Sequence, residues 1–378
     1  MKHFKRILLL LVVCFSVLLT SAQPPTVSLI TCGPGNDAYT LFGHTAIRIN
    51  QPAIGQDLCV NYGLFSFDQP NFMLRFILGQ PEYIVGAIPT EIFLEEYRQE
   101  GRWVRQQDLK LDSLQIQALV DAIAVNCLPA NREYRYNIFT ANCTTKAADI
   151  IEQNTPLRFS TTDVQTDKTI RQHLHHYTAN HPWYQFGIDL LLGVKADEKP
   201  QNPVFLPELL YAQAAVQTYQ EQQLVDGSGL SSANASIFTP RVLFGVLALL
   251  LIVLSVRDYR CGQFWVGIDV CLWIILGCVG LCLLFMVFSA HPTVSLNLQI
   301  LLFNPLIAVF GWKVYGQMKR QKPSLLLLIY GSCLVLFLIG RIWQVYAEGL
   351  MLIAVALLVR YGLFFFLSNR KTANTPKS

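Results

Sequence analysis

The sequence predicts an α+β domain followed by an all-α bundle of five transmembrane helices. The chain of 378 residues is 52% hydrophobic and only 14% charged, and the apolar excess is concentrated in a few segments near the C-terminus. The N-terminal half instead mixes short alternating segments with amphipathic ones, which is typical of strands and helices around a core. The chain also begins with an apolar run behind basic residues, the pattern of a targeting segment.

That first segment, residues 1–22, is predicted to be a secretory signal peptide. Basic residues precede the apolar run Ile7–Leu19, and the small residues Thr20-Ser21-Ala22 follow it. The run is short for a membrane span, and cleavage is expected after Ala22. The mature chain would then begin outside the cytoplasm.

Composition limits the partners and cofactors that the chain could use. The net charge is only +4, so nothing argues for nucleic acid. The polar half has no CxxC pair, and its clustered histidines lack carboxylate or cysteine partners at ligand spacing, so no metal and no other cofactor is expected. Export would permit a disulfide, and one between Cys32 and either Cys59 or Cys127 is an expectation.

Residues 23–210 are predicted to form the α+β domain. Strands are expected at about 27–31, 44–49, 59–67, 103–110 and 133–139, and helices at about 90–101, 112–125 and 143–153. In the second strand, alternation places Thr45, Ile47 and Ile49 towards a core, and His44, Ala46 and Arg48 on a face that suits a site.

The stretch around Cys143 is where the domain could carry chemistry. Asn142 is a good helix N-cap, which places Cys143 at the first helical position. There the helix dipole and the free N–H groups favour a thiolate. Two interpretations stay open from this stretch alone: a reactive thiol, or a small core residue or disulfide half.

His44 is the candidate base for that thiol. A thiol nucleophile needs a group that removes its proton, and an imidazole does so near neutral pH. Asn61 is a candidate for the third group, which would orient the imidazole. The alternatives are a structural core histidine and an ordinary polar strand residue.

Beyond residue 210 the chain changes character. Residues 211–240 are predicted to be a juxtamembrane helix and a Gly/Ser linker, residues 241–368 a transmembrane domain, and residues 369–378 a cytoplasmic tail. Five apolar spans are expected, at about 242–256, 264–288, 296–314, 324–340 and 346–367. Lysines and arginines follow the first, third and fifth spans, which places the polar domain outside and the C-terminus in the cytoplasm.

Several motifs together resemble the Lnb family. They are Gly43-His44-Thr45, Asn61-Tyr62-Gly63, Tyr134-Arg135-Tyr136-Asn137-Ile138-Phe139, Asn142-Cys143-Thr144-Thr145, Trp183-Tyr184-Gln185-Phe186-Gly187-Ile188-Asp189, Phe205-Leu206-Pro207-Glu208, His291-Pro292 and Asn304-Pro305-Leu306. The resemblance covers nearly the whole mature chain, including the five apolar spans.

The resemblance implies a permuted papain-like domain and lipoprotein N-acyltransfer in the bacterial inner membrane. Cys143 would attack an acyl ester of a phospholipid with His44 as base, and the start of its helix, with Asn142, would stabilise the oxyanion. The acyl group would then pass to the N-terminal amine of a diacylated lipoprotein. Arg48, His291 and Asn304 are candidates for substrate contacts.

Two other classes of function are compatible with the same residues. A membrane-tethered cysteine peptidase or amidase acting on peptidoglycan would use the same pair, although one membrane anchor would suffice for it. A non-catalytic envelope binding module would not need the thiol at all.

Overall fold

The computed structural model describes residues 24–66, 68, 70–159, 167–227, 237–291 and 293–374. The predicted signal peptide, most of the Gly/Ser linker and the last residues of the predicted tail lie outside these ranges. The described chain consists of an α+β domain followed by a helical domain, as the sequence predicts.

The N-terminal domain is built on one antiparallel sheet of seven strands in the order β6-β4-β3-β2-β1-β5-β7. The strands are β1 (Thr26–Cys32), β2 (His44–Gln51), β3 (Gln56–Leu64), β4 (Glu82–Pro89), β5 (Val104–Leu109), β6 (Glu133–Arg135) and β7 (Thr218–Val225). The paired strands predicted at 44–49 and 59–67 are neighbours in the sheet, with Ala46 opposite Asn61. The sheet therefore brings the His44 strand and the Asn61 strand side by side.

Within the described ranges, seven α-helices connect or cover these strands. They are α1 (Phe72–Ile77), α2 (Thr90–Gln99), α3 (Ser113–Asn126), α4 (Cys143–Asn154), α5 (Ile170–Thr178), α6 (Pro182–Leu191) and α7 (Pro207–Ala214). The α3 and α4 helices share one core with the sheet, in which Ala147 and Ile151 pack with Ile47 and Val60. This packing fixes the start of α4 against the β2–β3 pair.

The segment after α7 differs from the prediction. A helix was expected in the polar residues after Gln213, but Thr218–Val225 is a strand that pairs with β5 and extends the sheet. Most of its side chains are exposed. Its stability therefore comes from backbone hydrogen bonds to the open edge of β5, a tertiary partner that side-chain periodicity does not reveal.

The expected disulfide of the N-terminal domain is wrong. Cys32, Cys59 and Cys127 are all free thiols. Cys32 lies on β1 and Cys59 on β3, with β2 between them. Two strand spacings separate their backbones by about 10 Å, which exceeds the Cα–Cα distance that a disulfide spans.

The C-terminal domain consists of five apolar helices. They are α8 (Pro240–Cys261), α9 (Gly267–Met286), α10 (Pro305–Lys319), α11 (Leu325–Gly340) and α12 (Leu350–Asn374). Of the described helices, α8, α9, α12 and the segment Leu298–Lys319 are long and apolar enough to cross a membrane, and α11 is a shorter apolar helix of 16 residues. The third predicted span is broken, because α10 begins at Pro305 behind a cap from Asn304.

A buried ion cluster ties α12 to α8 and α9. The guanidinium of Arg360 makes two hydrogen bonds of 2.7 Å to the carboxylate of Asp269. It also contacts Asp258 at 3.3 Å and donates to the carbonyl of Trp265. Arg360, Asp269 and Asp258 are all fully buried. Such a cluster holds helix register, because removing one charge leaves the others unpaired in a low dielectric.

A second polar cluster joins the two domains. On the bundle side it uses two domain-side loops, residues 287–304 and 341–349. Gln299 donates to the carbonyl of Asp189 at 2.8 Å, and Gln344 donates to the carbonyl of Leu192 at 3.0 Å. Arg171 lies behind them, paired with Asp189 at 2.7 Å and with Asp197 at 2.9 Å. These buried bonds fix the N-terminal domain to one end of the bundle.

Candidate active site

Cys143 occupies the first position of α4, as the sequence predicts. The side-chain oxygen of Asn142 accepts hydrogen bonds from the backbone N–H groups of Thr144 and Thr145, at 2.8 and 2.9 Å. Its amide group donates to the carbonyls of Ile138 and Phe205. The side-chain oxygen and the side-chain amide nitrogen of Asn142 are therefore both hydrogen-bonded within the protein. The amide N–H groups of this side chain are not directed at an incoming substrate.

His44 is the first residue of β2, and the glycine before it forms the turn that positions it. Gly43 has φ of 75°, and a Cβ there would lie 2.6 Å from the carbonyl oxygen of Cys32. Only glycine accepts this conformation and this contact without strain. The turn therefore brings the imidazole round the end of the strand, towards the start of α4.

Asn61 and Gly63 on β3 set the position of the imidazole. The Nε2 atom of His44 is hydrogen-bonded to Oδ1 of Asn61 at 2.8 Å. A Cβ on Gly63 would lie 2.9 Å from Cε1 of the ring, so a larger residue would push the ring away. Because Nε2 is engaged, Nδ1 is the ring nitrogen left for the thiol.

The side chains of His44 and Cys143 are hydrogen-bonded, although 99 residues separate them. Burial by itself would raise the pKa of the Cys143 thiol. The His44 imidazole, together with hydrogen bonds from the Thr45 backbone and the Thr144 hydroxyl, outweighs burial and holds this pKa below its ordinary value.

The imidazole shows the opposite change. Burial acts to lower the pKa of His44, but the charge of the Cys143 thiolate and the hydrogen bonds to Cys143 and Asn61 raise it above its ordinary value. The two shifts together favour the thiolate–imidazolium form, which is the reactive form of such a pair. Both residues are half-buried.

Backbone donors surround the sulfur. The N–H of Thr45 is hydrogen-bonded to it, and the Thr45 and Thr144 hydroxyls bond each other at 3.0 Å, which holds β2 against α4. In the described part of the chain, the N–H of Cys143 itself makes no backbone hydrogen bond. An N–H at the start of a helix is well placed to stabilise an oxyanion that forms at this sulfur.

The other three candidate residues do not hydrogen-bond to the thiol or the imidazole in the described chain. The Arg48 guanidinium is held by Asp57, at 2.8 and 2.6 Å, and by Gln106 at 2.7 Å. Asn304 caps α10 inside the bundle and contacts the sulfur of Cys333 at 3.5 Å. Their roles towards a substrate stay predictions.

His291 lies at the contact between the domains. Its ring packs 3.1 Å from the position that a Cβ on Gly79 would take, and the ring is hydrogen-bonded to the backbone of Phe76. Burial lowers the pKa of His291, and its Nδ1 atom has no hydrogen-bond partner among the described residues. His291 thus joins α1 to a domain-side loop.

Sequence reasoning missed the aromatic wall beside the sulfur. Tyr83 and Tyr136 stack with ring centroids 4.1 Å apart, and Tyr83 also stacks on Phe65 at 4.9 Å. The phenols of Tyr83 and Tyr136 lie near enough to Cys143 for its charge to raise their pKa values further, although burial is the larger cause. Tyr136 was part of a recognised motif, but Tyr83 lies on β4, which no pattern predicted.

Fold and site together define a membrane-embedded protein whose extramembrane α+β domain carries a paired, half-exposed cysteine and histidine. Two family models match the chain: the Lnb N-terminal periplasmic domain over residues 16–176 and the Lnb transmembrane domain over residues 232–372. The chain therefore belongs to the Lnb family, and it is an inner-membrane protein of the cell envelope with a periplasmic domain. Searches of curated proteins and of solved structures returned no match.

Proposed function

We propose that the protein is a lipoprotein N-acyltransferase that works through an acyl thioester on Cys143. The acyl donor is a membrane phospholipid, and the acceptor is the α-amine of a diacylglyceryl-cysteine lipoprotein. The observation that carries this proposal is the hydrogen-bonded pair of Cys143 and His44, with pKa shifts that favour the charged form. That pair lies on a domain fixed to the end of a transmembrane bundle.

In the first half-reaction the Cys143 thiolate attacks the ester carbonyl of the phospholipid. The N–H of Cys143 donates to the developing oxyanion. The carbon–oxygen ester bond then breaks, and the His44 imidazolium gives its proton to the departing lysophospholipid oxygen. The products are a thioester on Cys143 and a neutral imidazole.

In the second half-reaction the lipoprotein amine attacks the thioester carbonyl. His44 takes the proton that the amine loses, and the carbon–sulfur bond breaks to return the Cys143 thiolate. The lipoprotein leaves with an amide-linked third acyl chain. Asn61 holds the imidazole ring in the same orientation for both proton transfers.

The membrane domain supports a lipid substrate over a peptidoglycan substrate. Both proposed substrates are anchored in the outer leaflet, so a thiol held beside that leaflet meets them at high effective concentration. The positive residues after the first, third and fifth spans support a periplasmic domain outside and a cytoplasmic C-terminus. One anchoring helix would suffice for a peptidoglycan peptidase.

The direct test is to trap the thioester. The purified full chain is incubated with phospholipid but no lipoprotein, and the peptide that contains Cys143 is examined by mass spectrometry. A fatty acyl mass that hydroxylamine removes and that is absent from Cys143→Ala supports the proposal. An unmodified Cys143 under conditions where lipoproteins become N-acylated would refute the thioester route.

Lipoprotein N-termini from cells with and without the gene separate the competing functions. Loss of the N-acyl group without the gene supports acyl transfer. Altered muropeptides with intact N-acylation would instead indicate a peptidase, and no change in either would indicate a binding module.

A further inference from the structure

The α6 helix of the periplasmic domain has its apolar side facing outward. Trp183, Tyr184 and Leu191 are exposed by 37%, 40% and 43%. With a period of 3.6 residues they share one side of the helix with Gly187. That side carries no charge, although it is part of a periplasmic domain that would ordinarily present polar side chains to water.

The opposite side of α6 holds the charged residue. Asp189 is 2% exposed and pairs with Arg171 and His175 beneath the helix. Phe186 and Leu190 pack against the core of the transmembrane bundle. This arrangement is the reverse of a helix on a water-soluble domain, where the apolar stripe faces the core and charges face solvent.

Contacts with the bundle fix the depth of α6 along the membrane normal. The ring of Phe186 on α6 stacks on the ring of Phe244, in the second turn of α8, with centroids 5.2 Å apart. Trp183 donates its indole N–H to the carbonyl of Phe238, just before α8 begins at Pro240. The helix therefore lies level with the end of a transmembrane helix.

The exposed face of α6 continues into surfaces that the bundle presents to lipid. Val242 and Val246 on the first turns of α8 are exposed by 45% and 51%. Phe238, 58% exposed, precedes α8 in the chain, and its ring packs tilted against the Trp183 indole with centroids 5.3 Å apart. Tryptophan and tyrosine are enriched where a bilayer meets water, because their rings are apolar and their N–H and O–H groups are polar.

From this continuity we propose that α6 is an interfacial membrane helix, whose Trp183–Tyr184–Leu191 face is covered by the headgroup and upper acyl region of the outer leaflet. The partner is the lipid surface itself. The periplasmic domain is then partly immersed at this helix in addition to being tethered through its linker to α8. Cys143 and α6 belong to one rigid domain, so the immersion also sets the height of the thiol.

Depth-dependent fluorescence quenching tests the proposal with the full chain in nanodiscs. The chain is placed in phosphatidylcholine brominated either in the upper part or near the end of its acyl chains. Subtracting the signal of Trp183→Phe isolates the Trp183 contribution, and Trp103→Phe, directly before β5 of the same domain, provides the matched control. For a face lying about 5–10 Å into the headgroup and acyl boundary, upper-chain bromine should quench Trp183 several-fold more strongly than Trp103.

A second probe guards against a local effect of the substitution. Tyr184→Trp in the Trp183→Phe background should restore a component that upper-chain bromine quenches more than chain-end bromine does. Quenching of the Trp183 and Tyr184→Trp components no stronger than that of Trp103 would overturn the proposal, since the face would then be in water or under protein. Neither readout depends on acyl transfer, so the result stands apart from the proposed activity.

Discussion

The protein contains two hydrogen-bonded pairs of ionisable side chains that are built in opposite ways. His44 and Cys143 are both half-buried, and the charged form of each favours the charged form of the other. Arg360 and Asp269 are fully buried, and a carbonyl and a second carboxylate satisfy the remaining guanidinium donors. The first pair is the one to which we assign proton transfer and contact with a substrate. The second can do neither, which leaves it a structural role.

The largest expected effect is the loss of activity when the Cys143 thiol is removed. Cys143→Ala should reduce lipoprotein N-acylation by at least about 10³-fold, because it removes the thiol that forms the proposed thioester. Mass spectrometry of lipoprotein N-termini measures this loss. The matched control is Cys127→Ala, another half-buried free thiol, which should leave N-acylation unchanged. Equal activity of the two variants would remove Cys143 from the mechanism.

Breaking the Arg360–Asp269 pair should instead lower the stability of the folded protein. Arg360→Met leaves Asp269 buried without its cation, whereas Asp258 keeps its contact with Arg257 at 3.2 Å. Breaking a buried pair in this way costs about 3–5 kcal/mol. Thermal unfolding in detergent should therefore begin at a markedly lower temperature. The double variant Arg360→Met/Asp269→Leu should recover much of the loss, because the buried carboxylate of Asp269 is removed as well. A single variant as stable as the parent chain would contradict this role.

Asn61 tests the role of the first pair without removing either member, because it orients the His44 imidazole and is not itself the nucleophile. Asn61→Ala should lower N-acylation about 10- to 100-fold through loss of the imidazole orientation, an effect of the size seen for positioned acid–base groups. The loss should fall mainly on kcat, since Asn61 touches the imidazole and not the substrate. Asn50→Ala on the neighbouring strand is the control. If Asn61→Ala changes only KM, the residue contacts substrate instead.

The smallest expected effect is a shift in the pH dependence of thiol reactivity. Alkylation proceeds through the thiolate, so a depressed pKa moves its midpoint to lower pH. Peptide mass spectrometry should find Cys143 alkylated at a lower pH than Cys127, whose pKa is raised by burial. In His44→Ala the burial effect stays while the imidazole is lost, so the Cys143 midpoint should rise. An unchanged midpoint in that variant would show that His44 does not activate the thiol.

Local patterns in the sequence were sufficient for several elements of the site. Alternation at residues 44–49 predicted β2, and the Asn142–Cys143 pattern predicted both the cap and the helix behind it. The apolar spans predicted the positions of the apolar helices, four of which, among the described residues, are long enough to cross a membrane. Each of these rests on neighbours in the chain, which is the information that a single sequence contains.

Features that depend on distant partners were not predictable in this way. The contact of His44 with Cys143 was an expectation from residue type and family resemblance, because nothing local brings together positions 99 residues apart. The β7 strand was missed because its pairing edge on β5 lies far back in the sequence. Arg171 and Gln299, which help to join the domains, gave no signal because each looks like an ordinary polar residue until its partner is known.

The hydrogen bonds from Gln299 and Gln344 to the periplasmic domain have a consequence for selectivity. They prevent the domain from rising or sinking on its tether, so the sulfur stays at one fixed elevation above the bilayer. Under the acyl transfer proposed above, a molecule anchored in the same leaflet would react only if its own anchor carries the reacting atom to that elevation. The fold would then select among otherwise similar amines and esters by how far each protrudes from the lipid.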